Sequence, residues 1–355
     1  MGEREVLNNE KRLLDCTLRD GGYVNSWRFG REHIRGIITH LAGAGAEFAE
    51  LGFIDERAPD EPGRSLLPCT GSFDRMLEGI DMKNTQALAM IDYGTCGAGR
   101  ISGCSESRLD GIRVIFKKHL RRPAMDFCGE LREKGYKVFA QLVSVTSYDD
   151  DEMEDLIGLA NDIRPYAISV VDTYGLLHQN NLSHYIDMLD EGLAAGIGIG
   201  YHGHNNFQMG YANCISVLAR ETDRDIHVDG SLCGMGKSAG NAPTELIAMY
   251  MDHKYGRDYD ISELLEAAES HVMPFYEMPP WGYNMFYFLA ALHGCHPDYV
   301  RYYTDKRRLS VGAISRILGS LDDSRRLSFD EDYAQQMYLE YRDTDTGEAK
   351  RGERT

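Results

Sequence analysis

The sequence predicts a closed (β/α)8 barrel of the TIM-barrel class with a helical C-terminal extension. Eight short apolar runs alternate with longer amphipathic ones as far as residue 255, the pattern of strands and helices wound into a parallel sheet. Polar, ionisable residues recur at or just past the ends of those runs, and in such a barrel the strand C-termini form the active face. No G-x-G-x-x-G follows the first run, which removes the main support for a doubly wound dinucleotide-binding sheet.

In chain order, strands are expected at Leu13–Leu18, Glu47–Gly52, Ala87–Ile91, Gly111–Phe116, Lys137–Val143, Ala167–Val171, Gly198–His202 and Ile226–Gly230. Helical periodicity marks Arg31–Ala42, Ala124–Lys134, Asp150–Asp162, Leu182–Ala195, Phe207–Ala219 and Pro243–His253. The residues at the expected strand ends are Asp20, Glu50, Asp92, Ser144, Asp172, His202, His204 and Asp229. Beyond residue 255 the rhythm stops. Ile261–His271, Asn284–His293, Ser310–Gly319 and Asp330–Tyr341 read as helices, and Pro274–Tyr283 is rich in proline and aromatics. The expected organisation is a catalytic barrel over 11–255, a helical extension over 256–341 suited to an oligomer or partner-enzyme surface, and a polar, disordered tail over 342–355.

Composition narrows the function. The 355 residues are 43% hydrophobic, enough for a large core, and carry a formal charge of −18. That excess argues against nucleic-acid or anionic-membrane partners, which need dense Lys/Arg patches. Eight cysteines occur without a C-x-x-C pair, and Cys16, Cys214 and Cys233 lie inside apolar runs, as reduced, buried thiols do. The N-terminus Met1-Gly2-Glu3-Arg4-Glu5 is charged with no apolar run behind it, and no stretch approaches a membrane span. A cytoplasmic protein is expected.

Two segments carry the chemistry. His202-Gly203-His204 ends the seventh run, and its imidazoles share one side of an extended chain. Arg19-Asp20 ends the first, pairing a carboxylate with a permanent cation. If the fold unites them, two imidazoles and a carboxylate form a divalent-metal site with open positions. A third segment, Asp229 to Glu245, contains Gly234, Gly236 and Gly240 in a loop where the backbone can approach a ligand closely, and Asn241 there offers a further oxygen ligand. A phosphate-binding role for this loop is the competing reading.

Leu14-Asp15-Cys16-Thr17-Leu18-Arg19-Asp20-Gly21, His202-Gly203-His204-Asn205-Asn206 and Gly234-Met235-Gly236-Lys237-Ser238-Ala239-Gly240-Asn241-Ala242-Pro243 resemble the motifs of the DRE-TIM metallolyases, the superfamily with an HMG-CoA-lyase-like catalytic barrel. The resemblance covers residues 11–255. It implies Asp20, His202 and His204 as metal ligands, Asn241 as a further ligand or its neighbour, Arg19 as the enolate-stabilising cation, and Thr173 as the hydroxyl that binds the substrate carboxylate. The glycine loop is closest to that of 4-hydroxy-2-oxovalerate aldolases, yet Tyr23 stands where those place a histidine base. Glu50-Leu51-Gly52-Phe53 is more like the acyl-CoA-condensing synthases, but Val143-Ser144-Val145-Thr146 lacks their Glu-Asp pair. The cysteine loop of 3-hydroxy-3-methylglutaryl-CoA lyase is also absent.

The resemblance therefore implies a divalent-metal aldolase or carbon–carbon lyase. It would act on a 2-oxo acid through a metal- and arginine-stabilised enolate, with an aldehyde as partner. The metal expected is Mn²⁺, with Mg²⁺, Co²⁺ and Zn²⁺ as alternatives, and the expected assembly is a homodimer. Tyr23 is a candidate base, with Tyr283 or His296 reaching in from the extension as alternatives; Glu50, Asp172, Ser144 and Tyr283 are candidate substrate contacts. A Claisen-type synthase, a thioester lyase and a non-catalytic scaffold are the competing functions.

Overall fold

The computed structural model describes residues 9–276 and 281–352. The N-terminal segment 1–8, part of the Pro- and aromatic-rich stretch 274–283 and the last three residues of the tail lie outside them. Eight parallel strands form the barrel: β1 (Lys11–Asp15), β2 (Phe48–Ile54), β3 (Gln86–Asp92), β4 (Gly111–Phe116), β5 (Lys137–Leu142), β6 (Ala167–Asp172), β7 (Gly198–Gly203) and β8 (Ile226–Gly230). Each strand pairs with the next, and β1 closes the ring by pairing with β8 from Lys11↔Ile226 to Asp15↔Gly230. A two-residue strand, Leu66–Leu67, sits beside the end of β2.

The helices between strands are α1 (Arg31–Ala44), α2 (Thr70–Met76), α3 (Arg121–Glu133), α4 (Asp150–Ile163), α5 (Gln179–Gly192), α6 (Gly210–Leu218) and α7 (Thr244–Tyr255). Their buried faces and the outer faces of the strands form one continuous apolar core. α4 begins with a capping box in which Asp149 accepts from the Glu152 N–H and Glu152 reaches back. Between β3 and β4 two 3₁₀ turns replace a helix. The expected first strand is shortened: β1 ends at Asp15, whose carboxylate accepts the Thr17 N–H at 2.9 Å and the Thr244 hydroxyl at 2.6 Å. That bond two residues on turns the chain, so Arg19 and Asp20 project from a single helical turn, Thr17–Asp20, rather than from a strand.

Inside the barrel the side chains are layered. Leu14, Cys16, Phe48, Leu88, Phe139 and Ala167 form a separate apolar cluster. Above it lies a polar layer containing Glu50, Arg113, Gln141, Ser169 and Asp229, all buried. A register shift on β2 between Glu50 and Phe53 accompanies Gly52 (φ 145°). A Cβ there would lie 1.7 Å from the Ser65 carbonyl oxygen, so only glycine allows the short strand to approach.

The C-terminal region divides in two. α8 (Ile261–Ala267) and the π-helical turn Ala268–Val272 pack on α1 and add Leu264, Ala267 and Val272 to the barrel core. α9 (Met285–Leu292), α10 (Pro297–Arg301), α11 (Val311–Gly319) and α12 (Glu331–Gly352) surround a second core that includes Tyr299, Tyr303, Ile314 and Ala334. α12 continues into the segment expected as a disordered tail, since a nucleated helix propagates one hydrogen bond per residue and no proline interrupts it. Cys16 and Cys214 are buried as expected, but Cys233 is half-buried. It sits in the left-handed region (φ 51°) of the tight loop after β8, where the chain turns too sharply to cover it. No helix among the described residues is long and apolar enough to cross a membrane.

Gly200 on β7 faces this interior: a Cβ would stand 2.2 Å from His227 Nε2 and 2.4 Å from Ser169 Oγ. Gly200→Ala is expected to destabilise the protein by about 1–3 kcal/mol through overpacking, read as a lowered urea midpoint at unchanged slope. An unchanged midpoint would mean that the interior is looser than described.

Candidate metal centre

Asp20, His202 and His204 converge at the mouth of the barrel. Each offers a ligand atom, and these atoms lie within 4.8 Å of one another. All three side chains are buried. His202 ends β7, and His204 forms an isolated bridge with Asn241 that ties the chain after β7 to the glycine loop after β8.

The surroundings prepare each group as a ligand. His202 Nδ1 lies 3.0 Å from Asp229 Oδ2, and His204 Nδ1 lies 3.3 Å from the Gly240 carbonyl. With Nδ1 donating in both rings, Nε2 keeps its lone pair, the usual arrangement around a ligating imidazole. Burial lowers the His204 pKa to about 3, so the ring is neutral as coordination requires. Burial opposes the charge on Asp20, yet the Arg19 guanidinium and then the two imidazoles hold its carboxyl well below the usual range. Asp20 Oδ1 accepts from Arg19 Nη1; Oδ2 accepts from Asn241 Nδ2 at 2.8 Å and from the Lys237 N–H at 3.1 Å. A Cβ on Gly236 would stand 2.4 Å from that same Oδ2, so the loop closes over Asp20 only with glycine there. Asn241 Oδ1 is buried without a partner. Such an orphaned acceptor beside three convergent ligands fits a cation. The donor set of two imidazole nitrogens and one or two oxygens matches a first-row divalent ion.

A chain of buried ion pairs underlies the ligands. Arg19 Nε donates to Glu50 Oε2 at 2.8 Å, and Arg113 Nη1 donates to the same oxygen at 3.0 Å. Arg113 Nη2 donates to Asp229 Oδ2 at 2.5 Å and to Gln141 Oε1 at 2.9 Å, and Gln141 continues to Ser169 Oγ. Arg113 and Asp229 are fully buried. Although burial works against it, Arg113 and then His202 keep the Asp229 carboxyl well below its ordinary range. The chain thus runs from Arg19 through Glu50, Arg113 and Asp229 to His202.

The other candidate residues divide. Thr173 lines the chamber of about 160 Å³ above the ligands, and its Oγ1 accepts the Ser144 N–H at 2.8 Å. Ser144 does not line that chamber; its backbone fixes Thr173 from the left-handed conformation (φ 55°). Asp172 also lies behind the wall. Its carboxylate accepts from the N–H groups of Leu176 and Leu177 at 2.7 and 2.9 Å, closing its own loop, and burial raises its pKa to about 6. Glu50 sits beneath Arg19 as its ion-pair partner. Tyr283 is 67% exposed and lines neither the chamber nor the larger cavity outside it, because the chain carries it to the outer surface before α9.

Tyr23 lines the chamber with 42% of its surface open and its ring edge-on to Trp27 at 4.8 Å. The enclosure, and then the Asp20 carboxylate, push its phenol up to about 12. Arg113 and Lys237 belong to the site although neither was singled out as a site residue, and Asp229, expected at a strand end on the active face, takes a role beside them. The signal for Arg113 was its place inside the apolar run Gly111–Phe116, where an unpaired arginine is too costly to bury.

A (β/α)8 barrel with a buried His-x-His and carboxylate centre at its mouth, an arginine beside it and a glycine loop above it is an arrangement that could hold a divalent metal ion. Residues 109–270 match the HMGL-like family model. It is 27% identical over 299 residues to a 4-hydroxy-2-oxovalerate aldolase of Thermomicrobium roseum, covering 80% of this chain and 81% of the relative. An oxaloacetate decarboxylase of Mycobacterium tuberculosis is 25% identical, with 87% and 91% covered. The N-terminal domain of a putative aldolase from Bacteroides vulgatus shares the fold with a TM-score of 0.73 at 20% identity, over 86% of this chain and 99% of that one.

Asp229→Asn is expected to weaken divalent-ion binding by about 10- to 100-fold, the usual cost of removing an imidazole's orienting carboxylate, measured by Mn²⁺ titration under electron paramagnetic resonance. Wild-type affinity would show that Asp229 does not set the His202 ring. Arg113→Met leaves Glu50 and Asp229 without their shared cation and is expected to cost about 3–5 kcal/mol of stability, read by chemical denaturation; a smaller loss than 1 kcal/mol would contradict the pairing.

Proposed function

We propose that this protein is a divalent-metal-dependent carbon–carbon lyase that opens a 2-oxo acid to an enolate and an aldehyde. The observation that carries the reading is the convergence of Asp20, His202 and His204 beside Arg19 in a small buried chamber. The aldolase and decarboxylase relatives agree with it. A bound Mn²⁺ or similar ion would supply Lewis-acid withdrawal of charge from the keto oxygen.

The chain's own residues do the rest. Arg19 is held in place by Glu50 and Asp20, so its charge faces the developing oxyanion without having to reorganise. Thr173 uses its oxygen to accept from Ser144, which leaves its O–H free to donate to the substrate carboxylate. Met90, Ile115, Val143 and Val171 line the chamber and exclude water around the enolate. Burial raises the Tyr23 phenol, so it keeps its proton at neutral pH and can pass it to the enolate carbon, while the proton lost from the substrate's 4-hydroxyl as the carbon–carbon bond breaks goes to water. The volume of about 160 Å³ suits a small 2-oxo acid.

The test needs no knowledge of the aldehyde. Pyruvate or 2-oxobutanoate incubated with Mn²⁺-loaded protein in D₂O should exchange its C3 protons, followed by NMR. Arg19→Lys should slow exchange by about 10²- to 10³-fold, since the planar fork that serves both carboxylates and the oxyanion is lost. Absence of exchange with every divalent ion tried would contradict the reading.

A further inference from the structure

The chamber opens outward. A vestibule of about 520 Å³ lies between the barrel mouth and the C-terminal helices, and it shares two wall residues, Tyr23 and Lys237, with the chamber. Its far wall includes Asp298 and Arg301 from α10 and His296, which caps that helix. The extension is joined to the barrel beside it: the Tyr174 hydroxyl donates to the Leu327 carbonyl at 2.6 Å, and the Tyr174 ring meets His296 edge-on at 5.5 Å. Any substrate longer than the chamber must place its far end here.

Lys237 stands at this junction without a close ion pair: the Asp20 and Asp298 carboxylates act on its ammonium only from beyond 4 Å, and burial works against its charge. Its backbone N–H is bound to Asp20, but among the described residues its ammonium has no carboxylate within 4 Å and no hydrogen-bond acceptor. Among the described residues, the faces of Tyr23 and Tyr174 lie nearest it, at 5.5 and 6.0 Å. The other charged groups of the vestibule differ. Arg301 Nε lies 3.8 Å from Asp305 Oδ2, and Asp298 lies 3.7 Å from His296 Nδ1. His296 Nδ1 accepts the Asp298 N–H at 3.2 Å. Its neutral ring therefore carries the proton on Nε2, which has no acceptor among the described residues. Two donors without acceptors, an ammonium and an imidazole N–H, thus line one cavity from opposite sides of the seam between barrel and extension. A partly buried ammonium with aromatic faces near it and its carboxylates beyond contact is incompletely compensated, and an anionic ligand group at contact distance would complete it.

We propose that Lys237, with His296 opposite, forms a subsite for a second anionic group of the substrate, so that the preferred substrates are 2-oxo acids with a carboxylate or phosphoryl group beyond the bond that breaks. This rests on the reading of the chamber as a 2-oxo acid site. Lys237 is then the specificity residue. The keto acid end is held by the metal centre, Arg19 and Thr173, and the far end by the seam.

The test is calorimetric, on the full chain loaded with Mn²⁺. Chain-matched pairs are compared: 2-oxoglutarate with 2-oxopentanoate, and 2-oxoadipate with 2-oxohexanoate, together with a 2-oxo acid bearing a terminal phosphonate. The diacid of at least one pair should bind about tenfold tighter or more than its monoacid, the scale of a hydrogen bond to a charged group. Tighter binding of the phosphonate than of either diacid would assign the second group as phosphoryl. Lys237→Met should bring the diacid-to-monoacid ratio to within twofold of one, and Lys237→Arg should restore the preference. The ratio is read within a single protein, so a general loss of fold cannot imitate the effect. Monoacids that bind and exchange at C3 with no preference for either anion overturn this inference alone. If no 2-oxo acid binds and none exchanges, the lyase reading fails and takes the inference with it.

Discussion

Arg113 is the group on which the site depends. It is the largest fully buried side chain among the described residues, and it stands in the centre of the barrel where no water can solvate it. A guanidinium in that position requires anionic partners on more than one side. Glu50 and Asp229 meet that need, and each has a second duty toward the metal centre: Glu50 fixes Arg19, and Asp229 fixes the His202 ring. Core electrostatics and site geometry are therefore one problem with one solution. Moving either carboxylate to suit the ligands would leave the arginine bare, and removing the arginine would leave two carboxylates in apolar surroundings.

Barrel closure makes this arrangement possible. Arg113 on β4 reaches Glu50 on β2 and Asp229 on β8 because the strands curve round until β8 lies beside β1. Above the ring, the loop after β8 adds three elements to Asp20 from above: the Lys237 N–H, the Asn241 amide, and the absence of a side chain at Gly236. A carboxylate clamped from its own turn, from the neighbouring arginine and from the loop has little freedom left, which is the preorganisation that the proposed enolate chemistry would demand.

Much of this was legible in the sequence. The alternation of short and long apolar periods gave the barrel, and the His-x-His spacing and Arg19-Asp20 pair pointed to the groups that converge. Other parts depend on three-dimensional facts that spacing cannot carry. Asp15 ends β1 early by binding the N–H two residues on, so Asp20 comes from a helical turn and not from the strand. Asp172 and Ser144 follow their strands as site residues often do, but their polar groups serve the loops, and only Thr173 between them reaches the chamber. The partners of Arg113 lie 63 and 116 residues away from it in the chain. An arginine inside an apolar run announces buried anions without saying which, and only closure of the barrel names them.

The central claim is that the imidazoles meet the ion through Nε2 while Asp229 retains His202 Nδ1. A crystal structure of the protein soaked with Co²⁺ or Mn²⁺, with anomalous scattering to locate the ion, tests it most directly. The account predicts one ion bound by Asp20 and by Nε2 of His202 and His204, with metal–nitrogen distances of about 2.1 Å and the contact between Asp229 and His202 Nδ1 intact. An ion bound through Nδ1, or bound away from Asp20 while these three residues stay metal-free, would contradict it.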